Sequence, residues 1–269
     1  MVTLVLPRLV SFEGTGRRAV RVTERNVAAL RSAYWIVMIS GFFEPVLYLF
    51  SIGIGVGALI GNLTLPGGRV VSYAEFVAPA MLAASAMTGA LSETTFNFFG
   101  KMKFMRLYEG ILATPVRPIE IALGELVWAT VRGVIYSGAF LVVMVAMHLT
   151  TAMHALAMFP ATILVGFSFG ALGMATSTLI RSWQDFDLIA SGQFALFLFS
   201  GTFVPPTAYP TALHWLVEAS PLYRSVDLIR ALSTGSAGRA QLVDVAYLVI
   251  LLTIGLTVAG RRMAALLCK

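Results

Sequence analysis

GKMKFMRLYEGILATPVRP, residues 100–118, is a basic, amphipathic island between two long apolar runs. Lys101, Lys103, Arg106 and Arg117 stand there with Glu109, and Glu120 follows just beyond. From Phe104, the residues Leu107, Tyr108, Ile111 and Leu112 fall three, four, seven and eight positions on, which makes one apolar stripe on a helix. Thr114-Pro115 and Arg117-Pro118 stop any helix that starts near Gly100. The stretch predicts a short helix parallel to a membrane, where the membrane part of the chain meets a soluble partner.

Composition sets the surroundings. Apolar residues make up 58% and charged residues 12% of the 269, and mean hydropathy is +0.85. A soluble domain is only about half apolar and about one-quarter charged. The chain therefore reads as an all-α, polytopic membrane protein, one transmembrane domain over 1–269 with six spans of about 20 residues. The net charge of +6 does not imply a nucleic-acid partner, because in such a chain the placement of Lys and Arg matters more than their sum. The one cysteine, Cys268, leaves no internal disulfide. No secretory signal is visible, since Arg8 and Glu13 interrupt the early apolar run, so the first span is expected to serve for targeting.

Outward from the island, residues 1–34 carry six arginines, and Val20, Val27, Leu30 and Tyr34 fall near one helical face, as in an interfacial helix. Span one is expected at Trp35–Ile60, with Gly53, Gly57 and Gly61 as a packing stripe and Glu44-Pro45 inside it. After a loop at Asn62–Tyr73, span two covers Phe76–Phe98, with Pro79 early and Glu93 late. Span three, Ile119–His148, holds Glu125 and Arg132 seven apart on one face, placed to pair with neighbours or with Glu93 and to fix helix register. Span four, Met158–Ile180, has small residues at Gly166, Gly170 and Gly173, and a polar turn with Arg181, Asp185 and Asp187 follows. Span five, Leu188–Val204, ends in Gly201, Pro205, Pro206 and Pro210. The segment 205–232, with Trp215, Pro221, Asp227 and Arg230, is too polar to span and too apolar for a free loop. It reads as two short helices broken at Ser220-Pro221 that re-enter the outer leaflet. Span six is expected at Leu242–Gly260.

With both termini, residues 100–118 and the 181–187 turn on one side, that side holds fourteen Lys and Arg against four on the other. Both termini are then cytoplasmic, and the re-entrant segment faces outward. Chemistry is sparse. The chain has no Gly-x4-Gly-Lys-Ser/Thr loop and no His-Glu-x-x-His, and His148 and His154 in one loop are a poor metal motif. Neither a catalytic residue nor a metal site is expected. The chain is built to move something rather than convert it.

Several stretches carry a family resemblance: Glu44-Pro45-Val46-Leu47-Tyr48, Glu75-Phe76-Val77-Ala78-Pro79, Glu109-Gly110-Ile111-Leu112-Ala113-Thr114-Pro115-Val116, and Phe199-Ser200-Gly201-Thr202-Phe203-Val204-Pro205 with Pro210, Trp215, Pro221-Leu222 and Val226-Asp227-Leu228-Ile229-Arg230. The chain resembles the membrane subunits of ABC exporters, the ABC transporter type 2 permeases, and among them those of nodulation lipo-oligosaccharide and daunorubicin exporters. The resemblance implies that residues 100–118 are a coupling helix docking into an ATP-binding cassette subunit, which holds ATP and Mg. No cofactor is implied for this chain. A second permease copy or paralogue and membrane lipid complete the implied partners, in the plasma membrane of a bacterium.

On that footing the docking face is Phe104, Leu107, Tyr108, Ile111 and Leu112, with Glu109 among them and Lys101, Lys103 and Arg106 supplying charge complementarity. ATP binding would close the ATPase pair and carry motion through this helix into spans one, two and five, and substrate would leave past the re-entrant cap. Eighteen Phe suggest an amphipathic or lipid-like cargo, a drug, glycolipid or lipid-linked saccharide. The competing reading is an ion-gradient-driven transporter or channel that uses Glu44, Glu93, Glu125 and Arg132 as a relay. A lipid-modifying enzyme would need a dense polar cluster at one interface, and none is evident.

Overall fold

Long apolar runs can satisfy their backbone in lipid by coiling into helices, and most of the described residues do so. The computed structural model describes residues 15–30, 43, 46–47, 49–64, 70–204 and 210–267. In chain order they form α1 (Thr15–Leu30) and α2, a π-helical Leu49–Val56 running into Gly57–Ile60. A hairpin of β1 (Asn62–Thr64) and β2 (Val70–Ser72) follows, then α3 (Tyr73–Phe104) and α4 (Leu107–Leu112). The rest is α5 (Pro118–Ala146), α6 (Ala152–Ser177), α7 (Asp185–Leu198), α8 (Thr211–Ala219), α9 (Pro221–Thr234) and α10 (Arg239–Leu267).

Four helices, α3, α5, α6 and α10, are long and apolar enough to cross a bilayer. The shortest has 26 residues, which at about 1.5 Å per residue exceeds the roughly 30 Å of hydrocarbon. They correspond to the expected second, third, fourth and sixth spans. Of the expected first span, the start with Trp35, and Glu44 and Pro45, lie outside the described residues, and its second half is α2. The fifth is helical over only 14 residues, about 21 Å, because the chain turns at Phe199–Gly201, where Gly201 takes φ +69°.

Local chemistry explains the boundaries. Ser72 caps α3 by accepting from Glu75 N–H (3.2 Å), while Glu75 accepts from Ser72 N–H (2.9 Å). Pro118 opens α5 at the first helical position, where a missing N–H costs nothing. The loop expected at Asn62–Tyr73 instead contains a hairpin, with Leu63 opposite Val71. Val71 is buried, so the strands exist to place that pair against the bundle.

The centre of the bundle is α6, which packs against α10, α5, α3 and α9. Close approach is possible because it and its neighbours carry small residues at the crossings. A Cβ on Gly170 would lie 2.7 Å from Leu126 of α5, and one on Gly255 of α10 would lie 2.7 Å from the Ala171 carbonyl carbon. Gly166 touches Thr130 less closely, and Gly57 rests against Tyr73. One apolar cluster fills the end of the bundle near the hairpin, around Phe76, Phe140, Met158 and Leu222, and a second fills the other end, around Phe98, Ile121, Met174 and Met263.

Gly255→Leu meets backbone that cannot swing aside, so we expect a loss of about 1–3 kcal/mol, read as a lower midpoint of thermal unfolding in detergent. Gly138→Ala, whose Cβ would meet Phe159 at an ordinary 3.7 Å, should leave that midpoint unchanged or raise it.

Candidate functional site

On α5, Glu125, Trp128, Arg132 and Tyr136 follow at steps of three, four and four, so they share one face. On α3, Glu93, Asn97 and Lys101 do the same through its two π turns, Glu93–Asn97 and Gly100–Phe104. The two stripes meet. Glu93, 4% exposed, forms an ion pair with Arg132 and accepts from Asn97 Nδ2 (2.6 Å) and Trp128 Nε1 (3.1 Å). Lys101 Nζ lies 2.6 Å from Glu125 Oε2 and 3.8 Å from Glu93 Oε1, and donates to Asn26 Oδ1 of α1 (3.4 Å). Arg132 also donates to the Tyr136 hydroxyl (3.1 Å). Two carboxylates and two cations are thereby closed into one buried cluster shared by α1, α3 and α5.

The island of residues 100–118 hangs from this cluster. Its first part, to Phe104, continues α3 past the expected end at Phe98. Met105 and Arg106 then break the helix, Arg106 in the left-handed region at φ +46°, and α4 sets off in a new direction. Its apolar stripe turns inward. Tyr108 is fully buried against Phe98 (ring centroids 5.3 Å), and Leu107, Ile111 and Leu112 pack on the same apolar cluster. The physical reason is proximity, since Ile121, Met174 and Met263 already form an apolar seat beside them. Burial, and next the Glu125 carboxylate, push the Tyr108 phenol well above its ordinary pKa, so it stays neutral. Lys101 is half-buried beside Glu125. Lys103, Phe104, Met105, Arg106, Glu109 and Gly110 remain exposed, as do Ala113 to Pro115.

The amphipathic α1 lies across the start of α5. Gly124 makes the crossing possible, since a Cβ there would be 2.6 Å from Val22 Cβ, and Thr23 donates to the Gly124 carbonyl at 3.1 Å. Arg18 reaches the buried Glu120 (3.6 Å), which also accepts from Arg117 N–H (2.8 Å). Val20 and Val27 stay exposed on the far side of the helix.

At the hairpin end, the predicted pair of helices is present as α8 and α9, divided at Ser220-Pro221. Trp215 is 69% exposed on α8, whereas α9 buries Leu222, Val226 and Ile229 in the bundle. Arg230 spans several elements: its guanidinium lies 4.0 Å from the Phe76 ring centroid and donates to the Gly201 carbonyl (2.9 Å). Asp227 accepts from Gln241 (3.4 Å), and Arg224 pairs with the buried Asp244 (3.2 Å). Pro210 precedes α8, and Pro205, like Glu44, is outside the described residues. A cavity of about 430 Å³ opens beside Arg230, lined by Glu75, Phe76, His148, Thr151 and His154. Among the described residues no three His, Cys, Asp or Glu side chains gather to hold a metal ion.

The shared face of Glu125 and Arg132 is readable from their spacing, and Glu93 is one of the partners it allows. The spacing of Asn97 and Lys101 from Glu93, and of Trp128 and Tyr136 from Glu125 and Arg132, carried the same signal. Nothing local marked Asn26 or Asp244, whose partners lie in other elements.

Comparison with known proteins agrees with this architecture. The sequence profile of the ABC-2 type transporter family matches residues 20–233. Nodulation protein J of Rhizobium leguminosarum bv. trifolii is 33% identical over 228 residues, covering 84% of this chain and 85% of that protein. Nodulation protein J of Rhizobium meliloti (strain 1021) is 30% identical over 229 residues, 85% and 86% of the two chains. The inner membrane transport permease YadH of Escherichia coli (strain K12) is 24% identical over 186 residues, 68% and 70% of the two chains.

Removing one member of the cluster leaves a charge buried and unpaired. Arg132→Met should therefore cost about 3–5 kcal/mol in detergent unfolding, and the double change Glu93→Gln with Arg132→Met should recover much of the loss.

Proposed function

The chain belongs to the ABC-2 type transporter family, and from that membership we propose that it is the membrane subunit of an ATP-driven exporter. Its cargo is amphipathic or lipid-like, a drug, glycolipid or lipid-linked saccharide, moved out across the plasma membrane of a bacterium. The ATP-binding cassette subunit is a separate protein that holds ATP and Mg.

The observation that carries this reading is the two-sided build of residues 100–117. One side is locked into the bundle by Lys101, Met102 and Tyr108, and the other presents Lys103, Phe104, Arg106 and Glu109 to the surroundings. Such a segment transmits force, because a push on its exposed side is delivered to the buried charge cluster and so to α3, α5 and α1. The docking surface is then the exposed side, while Leu107, Tyr108, Ile111 and Leu112 seat it.

Further features support the rest of the assembly. No residue of α7 is buried, and Leu188, Phe194 and Leu198 on it are exposed, which suits a second permease copy or paralogue. Val20 and Val27 suit lipid at the cytoplasmic leaflet, with both termini on that side. On this topology α8 and α9 cap the outer end of the path. The ion-driven alternative draws on Glu93, Glu125 and Arg132, but each carboxylate already has a resident cation, which favours a fixed register over a relay.

Tagged protein purified from its native membrane should bring down an ATP-binding subunit. Lys103→Glu with Arg106→Glu, both at exposed positions, should weaken that association about tenfold or more, a difference of about 1.4 kcal/mol, without changing the size-exclusion profile. Wild-type protein purifying alone would sink the exporter reading and bring the ion-driven one forward.

A further inference from the structure

Five aromatic rings gather where α3 ends and the turn before α7 begins. Trp183, in that turn, stacks on Phe104 with centroids 5.1 Å apart and planes at 19°. It also meets Phe96 at 4.9 Å, Phe99 at 5.5 Å and Phe186 at 5.4 Å. Phe99 lies buried beneath, and Phe104 and Trp183 are 60% and 45% exposed. Offset and tilted contacts of this kind are the preferred geometries of aromatic side chains, so the rings hold one another in a defined arrangement. The turn itself is stiff, because Asp185 Oδ2 accepts from the N–H groups of Arg181 (2.7 Å) and Ser182 (3.1 Å).

The helix that follows is attached in the opposite manner. Along its 14 residues α7 buries none. Among the described residues its contacts with the rest of the bundle include Gln193, which donates to Thr88 (2.9 Å), Leu196 and Phe197, and α9. A helix gripped by rings at its first turn and with no buried residue beyond it can follow whatever moves those rings. Of the five, Phe104 belongs to the exposed segment proposed above to dock the ATPase.

We propose that the Phe104–Trp183 stack links the docking segment to α7, and that Trp183 is a positioning residue of the transport cycle. The inference rests on the exporter reading. A displacement of residues 103–115 then swings α7 through the turn at 181–184, in parallel with the push delivered to α3 and α5 through the buried charges. If Trp183 were instead only an interfacial anchor in lipid, α7 would respond to the ATPase without it.

The test uses the permease with its co-purified ATP-binding subunit in nanodiscs, in a Cys268→Ser background with a bimane label on Ala195→Cys, an exposed position of α7. ATP with Mg should shift the bimane emission in this parent. In Trp183→Ala the ATPase subunit should still co-purify while the shift is abolished, and Trp183→Phe should restore it. A shift that persists in Trp183→Ala, or a parent that never shifts although its ATPase is bound, overturns the link. Loss of the ATPase subunit in Trp183→Ala also overturns it, by making Trp183 part of the docking surface. A parent that brings down no ATPase at all instead removes the exporter reading on which the link stands.

Discussion

Two carboxylates inside membrane-crossing helices must be neutralised locally, and much of this structure is arranged around that requirement. Glu93 and Glu125 are almost fully buried, and charges so placed are costly unless paired and hydrogen-bonded. Lys101 and Arg132 answer them within the same two helices, so this register of α3 and α5 pairs all four charges. Asn26 brings α1 into the same network and Tyr108 brings α4 beside it. The cluster adds little to net stability, since buried pairs barely repay their desolvation. What it supplies is a unique alignment of four elements.

Packing makes that alignment attainable. Thr94, next to Glu93 in α3, and Leu126, next to Glu125 in α5, both lie against small residues of α6. Gly124 lets α1 cross α5 at backbone distance. Without close approach the long side chains would not reach across, and with it they reach only one way. The aromatic rings around Trp183 and the guanidinium of Arg230 over Phe76 play comparable roles at the two ends of the bundle.

The helical class, four of the membrane-crossing helices and the division of residues 205–232 at Ser220-Pro221 were legible in the sequence, because hydropathy, period and proline placement are local properties. So was the facing of Glu125 and Arg132, seven residues apart on one helix. The direction of Tyr108 was not. An amphipathic stripe on a short segment says that one side is apolar, not whether that side meets lipid, a partner or the chain's own core. The pairing of Lys101 with Glu125 was hidden for a related reason, since it depends on where α3 crosses α5. Hydropathy also ended the second span at Phe98, but the polar residues from Glu93 to Lys101 satisfy one another inside the protein, and the helix runs on to Phe104. The three-residue strands of the hairpin are too short to show a period.

The balance of signs in the buried cluster has an electrical consequence. A single charge carried across a membrane at 100 mV exchanges about 2.3 kcal/mol with the field. Glu93 and Glu125 against Lys101 and Arg132 sum to zero, so when α3 and α5 shift together the group displaces no gating charge. Through these four charges the membrane potential would neither drive such a movement nor oppose it.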